Sequence, residues 1–177
     1  RELTSEIKDR HGTAKLVVAN NVFAHADDLQ GIAEGISDLL APDGVYMFEV
    51  SYLMDVLDKC LLGTIFHEHL SYHALSPIIG FLHRYGMKVI DVRRVGIQGG
   101  SIIVSAAKID GPHSVRDSVT ELLCLEESRD LNSIGRLKDF SANLERLYDQ
   151  THQFVEKCQT EGARVGGFGG ARSGTTL

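Results

Sequence analysis

Two short apolar runs separated by an amphipathic helical pattern constrain the fold of this chain more than any other feature. Residues 15–19 and 45–50 each match a short strand buried on both faces of a sheet. Between them, after Asp27 or Asp28 as a helix cap, apolar residues recur at helical spacing: Leu29, Ile32, Ala33, Ile36, Leu39 and Leu40. Residues 42–44 read Pro-Asp-Gly, which predicts a turn that ends the helix. The pattern predicts a right-handed crossover between two parallel strands of an α/β sheet covered by helices.

The downstream sequence predicts an antiparallel hairpin. Residues 87–95 and 101–108 are two runs rich in β-forming residues, and the glycine-rich stretch 96–100 joins them. A five-residue connection of this kind is typical of a hairpin. The chain therefore combines a parallel crossover with an antiparallel ending.

A histidine-rich segment over residues 64–73 is the most reactive part of the chain, with three imidazoles, a carboxylate and a phenol. It lies between a short helical pattern over 52–62 and a helix that begins at Ser76 and Pro77, so we expect it in a loop. Imidazole suits proton abstraction at neutral pH, and a neighbouring carboxylate can orient the ring and stabilise the imidazolium. His69 beside Glu68 is the candidate pair. Such a pair could remove a proton next to a ketone and create a carbon nucleophile.

Two other interpretations of the segment stay open. Its three histidines and Glu68 could instead form a metal site, with His69 and His73 on one helix face at four-residue spacing. The order of residues is not the His-Glu-x-x-His of a metalloprotease. The segment could also be a solvated loop without chemistry.

Composition excludes several classes of partner. The net charge is -6, the pI is near 5.7, and no window is dense in lysine and arginine, so nucleic acid and anionic membranes are unlikely ligands. Cys60, Cys124 and Cys158 are odd in number and widely spaced, which predicts neither a disulfide framework nor a zinc ribbon and fits a reducing cytoplasm. No apolar run reaches the roughly 18 residues of a membrane span.

Several stretches of the chain resemble the S-adenosylmethionine-dependent sugar C-methyltransferases, which methylate a ring carbon of nucleotide-linked keto-deoxysugars. They are residues 20–29, 40–44, 64–72 and 99–101, and residues 164–177 resemble the strand and glycine loop that open the family's C-terminal domain. A parallel sheet closed by an antiparallel hairpin is also similar to the end of the class I methyltransferase fold. The resemblance implies an α/β fold: the second half of that Rossmann-like sheet, then helices and the start of a second α/β domain.

The resemblance also implies a set of site residues. His69 would be the general base, Glu68 would orient it or contact the substrate, and His25 would polarise the substrate's carbonyl region. The expected contacts to the nucleotide-linked sugar are Phe66, Tyr72, Gly100, Ser101, Arg172 and Ser173. Asn20 and Asn21, at the end of a predicted strand, are expected on the side of the cofactor, S-adenosylmethionine. No metal is expected.

Three of these expectations have competing explanations. The family position matched by Phe66 is commonly tyrosine, and phenylalanine cannot donate the corresponding hydrogen bond, so Tyr72, His67 or His73 could substitute or the substrate could differ. Residues 99–101 could be an ordinary hairpin connection. Arg172 and Ser173 belong to a glycine loop that could bind a phosphate, as the resemblance implies for the sugar's nucleotide diphosphate.

The domain organisation predicted from these patterns has three parts. Residues 1–110 would form the second half of a methyltransferase domain, residues 111–162 a helical connector, and residues 163–177 the start of a second α/β domain with a strand over 164–168. Two amphipathic helices, over 114–131 and 137–158, would make up the connector. We expect a fragment of a longer protein, since the family's zinc domain and cofactor glycine loop have no counterpart here. Its oligomeric state is open.

The function expected from all of this is methyl transfer to a ring carbon of a nucleotide-linked keto sugar through an enolate. The alternatives are a methyltransferase for another small molecule, a non-catalytic or degenerate nucleotide-sugar-binding module, and a histidine metal protein.

Overall fold

The computed structural model describes residues 2–167 of the chain. The helices in this part are α1 (Glu2–His11), α2 (Leu29–Leu39), α3 (Leu53–Asp58), α4 (Leu75–His83), α5 (Asp117–Ser128) and α6 (Ile134–Thr160). The strands are β1 (Ala14–Asn20), β2 (Leu40–Ser51), β3 (Met87–Val95) and β4 (Ser101–Lys108). Short 3-10 turns cover Phe23–His25, Leu62–Thr64 and Ile97–Gly99. No helix within residues 2–167 is both long enough and apolar enough to cross a membrane.

The four strands form one mixed sheet in the order β1-β2-β4-β3. β1 pairs with β2 in parallel, so the crossover predicted from the sequence is confirmed. β4 is inserted between β2 and β3 and is antiparallel to both, with Phe48 opposite Val104 and Met87 opposite Lys108. The predicted hairpin is therefore confirmed, and with it the α/β class.

The core lies between one face of this sheet and the helices α2, α4 and α5. Alternate residues of the two central strands point into it and are fully buried: Tyr46, Phe48, Val50, Ile102, Val104 and Ala106. Phe23, just beyond β1, stacks on Phe48 with ring centroids 4.8 Å apart. Burying each such large side chain contributes roughly 1.5–3 kcal/mol, so Phe23 anchors the turn that carries His25.

Two expectations about the first strands are wrong. β1 is not buried on both faces, because its Leu16 and Val18 point away from the core and are 55% and 53% exposed. Residues 42–44 do not form a turn between helix and strand, since β2 already begins at Leu40, which pairs with Ala14. The next pair is Leu16 with Val45, so the Pro-Asp-Gly residues form a bulge within the strand.

The helices lie close to where the periodicity places them. Asp28 caps α2 by accepting a 2.8 Å hydrogen bond from the amide of Gly31. α4 begins at Leu75, two residues before Pro77, the predicted first helical position, and Pro77 is still in the first turn, where amides lack helical partners. The two helices expected after the hairpin are α5 and α6.

The last described residues depart from the expectation. Residues 163–167 have no regular structure, so the strand predicted over 164–168 is absent as far as residue 167. Phe168, Arg172 and Ser173 lie outside the described residues, and so does the glycine loop.

Candidate active site

A cavity of about 550 Å³ opens among the segments that follow β1 and β2. Its lining residues come from three separate stretches of the chain: Asn21, His25, Leu61, Gly63, Thr64, Phe66, Glu68, His69 and Gln98. Ligands of open α/β sheets collect in this place, outside the carboxyl ends of parallel strands. The cavity brings together five of the residues expected from the sequence, namely Asn21, His25, Phe66, Glu68 and His69.

The backbone holds the two key histidines side by side. His25 ends the 3-10 turn after β1, and the histidine segment is fastened to that turn by a 2.8 Å hydrogen bond from the amide of Leu70 to the carbonyl of Ala24. The imidazole rings of His25 and His69 lie edge to face, with centroids 4.8 Å apart. Residues 44 positions apart therefore form one pair of rings at the cavity wall.

The Thr64 carbonyl determines which nitrogen of His69 carries the proton. His69 Nδ1 lies 2.6 Å from this oxygen, and a carbonyl oxygen only accepts hydrogen bonds. Nδ1 therefore donates, and in the neutral ring Nε2 keeps its lone pair. Thr64 is itself held in place, because it is 8% exposed and its hydroxyl donates to the Leu61 carbonyl at 2.7 Å. His69 is thus oriented as a proton acceptor through Nε2.

Glu68 lies beside His69 in sequence and at the cavity wall in space. One of its oxygens is 3.9 Å from Nε2 of His67, whose side chain is 76% exposed to solvent. His69 also has a hydrogen bond to the Thr64 backbone, which helps to orient its ring. A role of Glu68 in orienting His69 or contacting the substrate stays a prediction.

Phe66 provides an apolar wall against both histidines. Its ring centroid is 4.2 Å from that of His69 and 6.4 Å from that of His25. Tyr72 was expected on the substrate side, but its hydroxyl donates to the Thr64 carbonyl at 3.2 Å, and burial raises its pKa. Tyr72 thus shares an acceptor with His69.

The other histidines of the segment face different surroundings. His73 Nε2 is 3.0 Å from the Ser71 hydroxyl, and burial lowers the pKa of His73 to about 4, so the ring is neutral at physiological pH. His67 points to solvent. Among the described residues, no group of three or more histidine, cysteine or acidic side chains is arranged to hold a metal ion.

The two asparagines after β1 have different positions. Asn21 lines the cavity and has a left-handed backbone with φ of 54°, which asparagine tolerates better than most residues. Its amide donates to the Glu49 carbonyl at 2.9 Å. Asn20 is still in β1, opposite Glu49, and is exposed without lining the cavity.

Gly100 and Ser101 lie beside the site and not in its lining. Gly100 is buried against Asp55, and a Cβ on Gly100 would be 2.2 Å from the Asp55 Cβ. The Ser101 side chain is fully buried, and its hydroxyl donates to the Ile97 carbonyl at 3.1 Å. Their contact with substrate stays a prediction.

Sequence reasoning missed the charged cluster that supports this hairpin. Asp55 is 1% exposed and accepts two 2.8 Å hydrogen bonds from Arg94 and a 2.6 Å contact from Lys59. Burial alone would raise the pKa of Asp55, but its hydrogen bonds from Arg94 and Lys59 together lower it. Lys59 is the i+4 neighbour of Asp55, whereas Arg94 lies on β3, so no local pattern indicates the Arg94 pair.

Sequence reasoning also missed Gln98 and Glu49. Gln98 lines the cavity from the hairpin connection. Glu49 is 7% exposed, and its Oε1 has no hydrogen-bond partner among the described residues. The sequence did indicate both residues. Gln98 is a polar residue within a glycine-rich connection, and Glu49 is a single acid inside the apolar run 45–50.

Strand order, hairpin and histidine-lined cavity define an α/β protein with a mixed four-stranded sheet and a candidate site beyond its parallel strands. A family model described as the C-methyltransferase C-terminal domain matches residues 96–177. C-methyltransferase NovU of Streptomyces niveus is 37% identical over 176 residues, which are 99% of this chain and 42% of NovU. The chain is thus similar to a C-methyltransferase over nearly its whole length and to the C-methyltransferase domain model over residues 96–177. It spans less than half the length of that curated relative.

Solved structures similar to this chain are more distant. M1.HpyAVI is 16% identical with a TM-score of 0.41, and the match covers 63% of this chain and 52% of that protein. Magnesium protoporphyrin IX methyltransferase from Synechocystis PCC 6803, solved with bound SAH, is also 16% identical with a TM-score of 0.41, over 54% of this chain and 45% of that one.

Proposed function

We propose that this chain is part of an enzyme that transfers a methyl group from S-adenosylmethionine to a ring carbon of a nucleotide-linked keto sugar. The observation that carries the proposal is the 2.6 Å hydrogen bond between His69 Nδ1 and the Thr64 carbonyl. It leaves Nε2 as a proton acceptor on a residue that lines a cavity large enough for a sugar ring. Similarity to the C-methyltransferase domain model and to C-methyltransferase NovU supports the reaction class.

His69 would act as the general base. Its Nε2 removes a proton from the ring carbon beside the ketone, and the electron pair of the broken C–H bond moves onto the ketone oxygen to give an enolate. The imidazolium that forms keeps its Nδ1–H bond to the Thr64 carbonyl, and that bond strengthens as the ring becomes positive. Thr64 thus supports the charged state of the base.

The enolate oxygen needs a partner as its negative charge develops. His25 is suited to this, because its ring lies 4.8 Å from that of His69 and lines the same cavity. Phe66 adds no hydrogen bond and excludes water from that side of the rings. Glu68 would contact a sugar hydroxyl from the cavity wall.

The residues at the end of β1 fit a polar cofactor. Asn21 places a carboxamide at the cavity wall within the same lining as both histidines. S-adenosylmethionine, when bound, supplies the electrophilic methyl group for the new carbon–carbon bond. Asn21, and Asn20 beside it, would hold that cofactor on the β1 side of the site.

Hydrogen exchange tests the base directly. In the complete protein, the acidic ring hydrogen of a nucleotide-linked keto sugar should exchange with deuterated water, as followed by NMR. His69→Asn should abolish this exchange, since the amide cannot accept the proton. His67→Asn is the matched control, because His67 is the solvent-exposed neighbour and should retain exchange. Undiminished exchange by His69→Asn would remove His69 as the base.

Phe66 favours one second candidate, a degenerate module that binds a nucleotide sugar without reacting. The phenylalanine lacks the hydroxyl that the family commonly places there. That candidate predicts nucleotide-sugar binding by calorimetry in the wild-type protein, with neither hydrogen exchange nor methyl transfer. Exchange by the wild type would exclude it.

A further inference from the structure

Gln98 occupies a strained position at the cavity wall. Its backbone is left-handed, with φ of 51° and ψ of 31°, a conformation that non-glycine side chains seldom adopt. Glycine at position 98 would adopt this backbone conformation with less strain, and glycines already stand at positions 96, 99 and 100. Strain of this kind persists where surrounding structure enforces it, and it concentrates at ligand sites.

Contacts with Lys59 and Leu61, which follow α3, hold this conformation in place. Lys59 donates a 2.6 Å hydrogen bond to the Gly99 carbonyl. Gly99 lies so close to Leu61 that an added Cβ would be 2.8 Å from its methyl group. The amide of Gly100 closes the turn by donating to the Ile97 carbonyl at 2.9 Å. The connection is thus pinned against α3 and the residues that follow it, with Gln98 left facing the cavity.

The position of Gln98 is chemically distinct from the rest of the lining. The other polar groups there come from the histidine segment and from the end of β1, whereas Gln98 comes from the hairpin. A carboxamide donates and accepts hydrogen bonds at once, as does a ring hydroxyl of a sugar. A residue with a fixed backbone in the same cavity lining as the base can therefore help to fix the rotation of a sugar ring bound there.

We propose that Gln98 hydrogen-bonds one ring hydroxyl of the substrate and thereby determines which ring carbon faces His69. Gln98 is then a specificity-determining residue, and Lys59 and Leu61 position it. This inference rests on the proposed function and adds to it a side chain that recognises the sugar. It also moves the expected substrate contact of the hairpin from Gly100 and Ser101 to the preceding tip.

A glycine substitution separates the side chain from the backbone. Gln98→Gly removes the carboxamide, and glycine adopts φ of 51° without strain, so thermal stability should be unchanged or higher. The control is Gln150→Ala, which removes an exposed glutamine on α6. The assay is methyl transfer by the complete protein, with kcat and KM measured for a nucleotide-linked keto sugar and for analogues that each lack one ring hydroxyl.

The wild type should lose roughly tenfold in kcat/KM with one of these analogues, which is the effect of about one hydrogen bond. Gln98→Gly should lose roughly tenfold with the parent sugar, chiefly through KM, and should no longer discriminate against that analogue. Gln150→Ala should behave as wild type.

If Gln98→Gly discriminates among the analogues as the wild type does, Gln98 does not read the sugar, although the methyltransferase proposal stands. If the wild type transfers no methyl group to any of these sugars, the proposed function itself fails. A merely structural role would lower the melting temperature and leave the discrimination intact.

Discussion

Glu126 on α5 connects three groups that are distant in sequence. Its carboxylate accepts hydrogen bonds from the amide of Leu75 at 2.6 Å, the amide of Ser76 at 3.0 Å and the hydroxyl of Tyr52 at 3.0 Å. Ala74 precedes α4 and has no side chain to cap it, so Glu126 caps this helix from 50 residues away. Truncation of Glu126 to alanine removes the acceptors of all three hydrogen bonds at once.

The size of the effect follows from burial. Leu75 and Tyr52 are both fully buried, so water does not replace the lost acceptor, whereas the amide of exposed Ser76 can bond to water. An unsatisfied buried donor costs about 1–3 kcal/mol, so two of them lower the free energy of unfolding by roughly 3–5 kcal/mol. Glu126→Gln keeps one oxygen acceptor and loses the charge at the helix N-terminus, and should cost about 1–2 kcal/mol.

Urea unfolding followed by circular dichroism measures both variants of the purified chain. The control is Glu127→Ala, the next residue of α5, which is exposed and should change stability by less than about 0.5 kcal/mol. Amide hydrogen exchange should be faster at Leu75 in Glu126→Ala. If Glu126→Ala unfolds at the same urea concentration as Glu127→Ala, the carboxylate does not cap α4 and the reasoning is wrong.

Three further predictions concern stability. The folded-state pKa of His73, about 4, lies below the 6.5 of an unfolded histidine, so the unfolded chain binds the extra proton first. Stability should thus fall by roughly 2–3 kcal/mol as pH drops from 6.5 to 4, and His73→Asn should remove this slope in urea titrations across that window. Glu49→Met should raise the unfolding free energy by about 1 kcal/mol, because it removes a buried oxygen without a partner. Gly100→Ala should lower it by about 1–3 kcal/mol through collision with Asp55, whereas Gly63→Ala meets nothing within 4 Å and should be near neutral.

Each of these has a clear contrary result. A pH slope that survives in His73→Asn would assign it to other groups. A melting temperature lowered by Glu49→Met would show that the carboxylate has a stabilising partner in solution. Equal stability of the two alanine variants would show that the hairpin shifts freely away from α3.

The bounds of β3 and β4 follow from the sequence because the information is local. Alternating β-forming residues with glycines on either side of the connection define both strands, and the helix cap at Asp28 needs only its own side chain and the next turn. The burial of β1 could not be predicted from local sequence. An apolar run indicates a strand, but whether both faces are covered depends on which elements pack against it.

The same difference between local and long-range information applies to the site. The histidine segment and its loop character could be predicted, because such a density of titratable groups is visible in sequence. The partner of His69 could not be. Thr64 acts through its backbone carbonyl, and every residue has one, so no residue type marks it.

The sequence by itself determined the α/β class, the hairpin, and the histidine-rich segment from which His69 is predicted as a base. The tertiary structure decided that His25 lies against His69, that Gln98 faces them, and that Glu126 and Asp55 hold the supporting elements. The physical reason is the separation in sequence over which each kind of interaction acts. Propensity, capping and periodicity act within a few residues, whereas a hydrogen bond or ring contact between residues 40 or 50 apart exists only after the chain has folded.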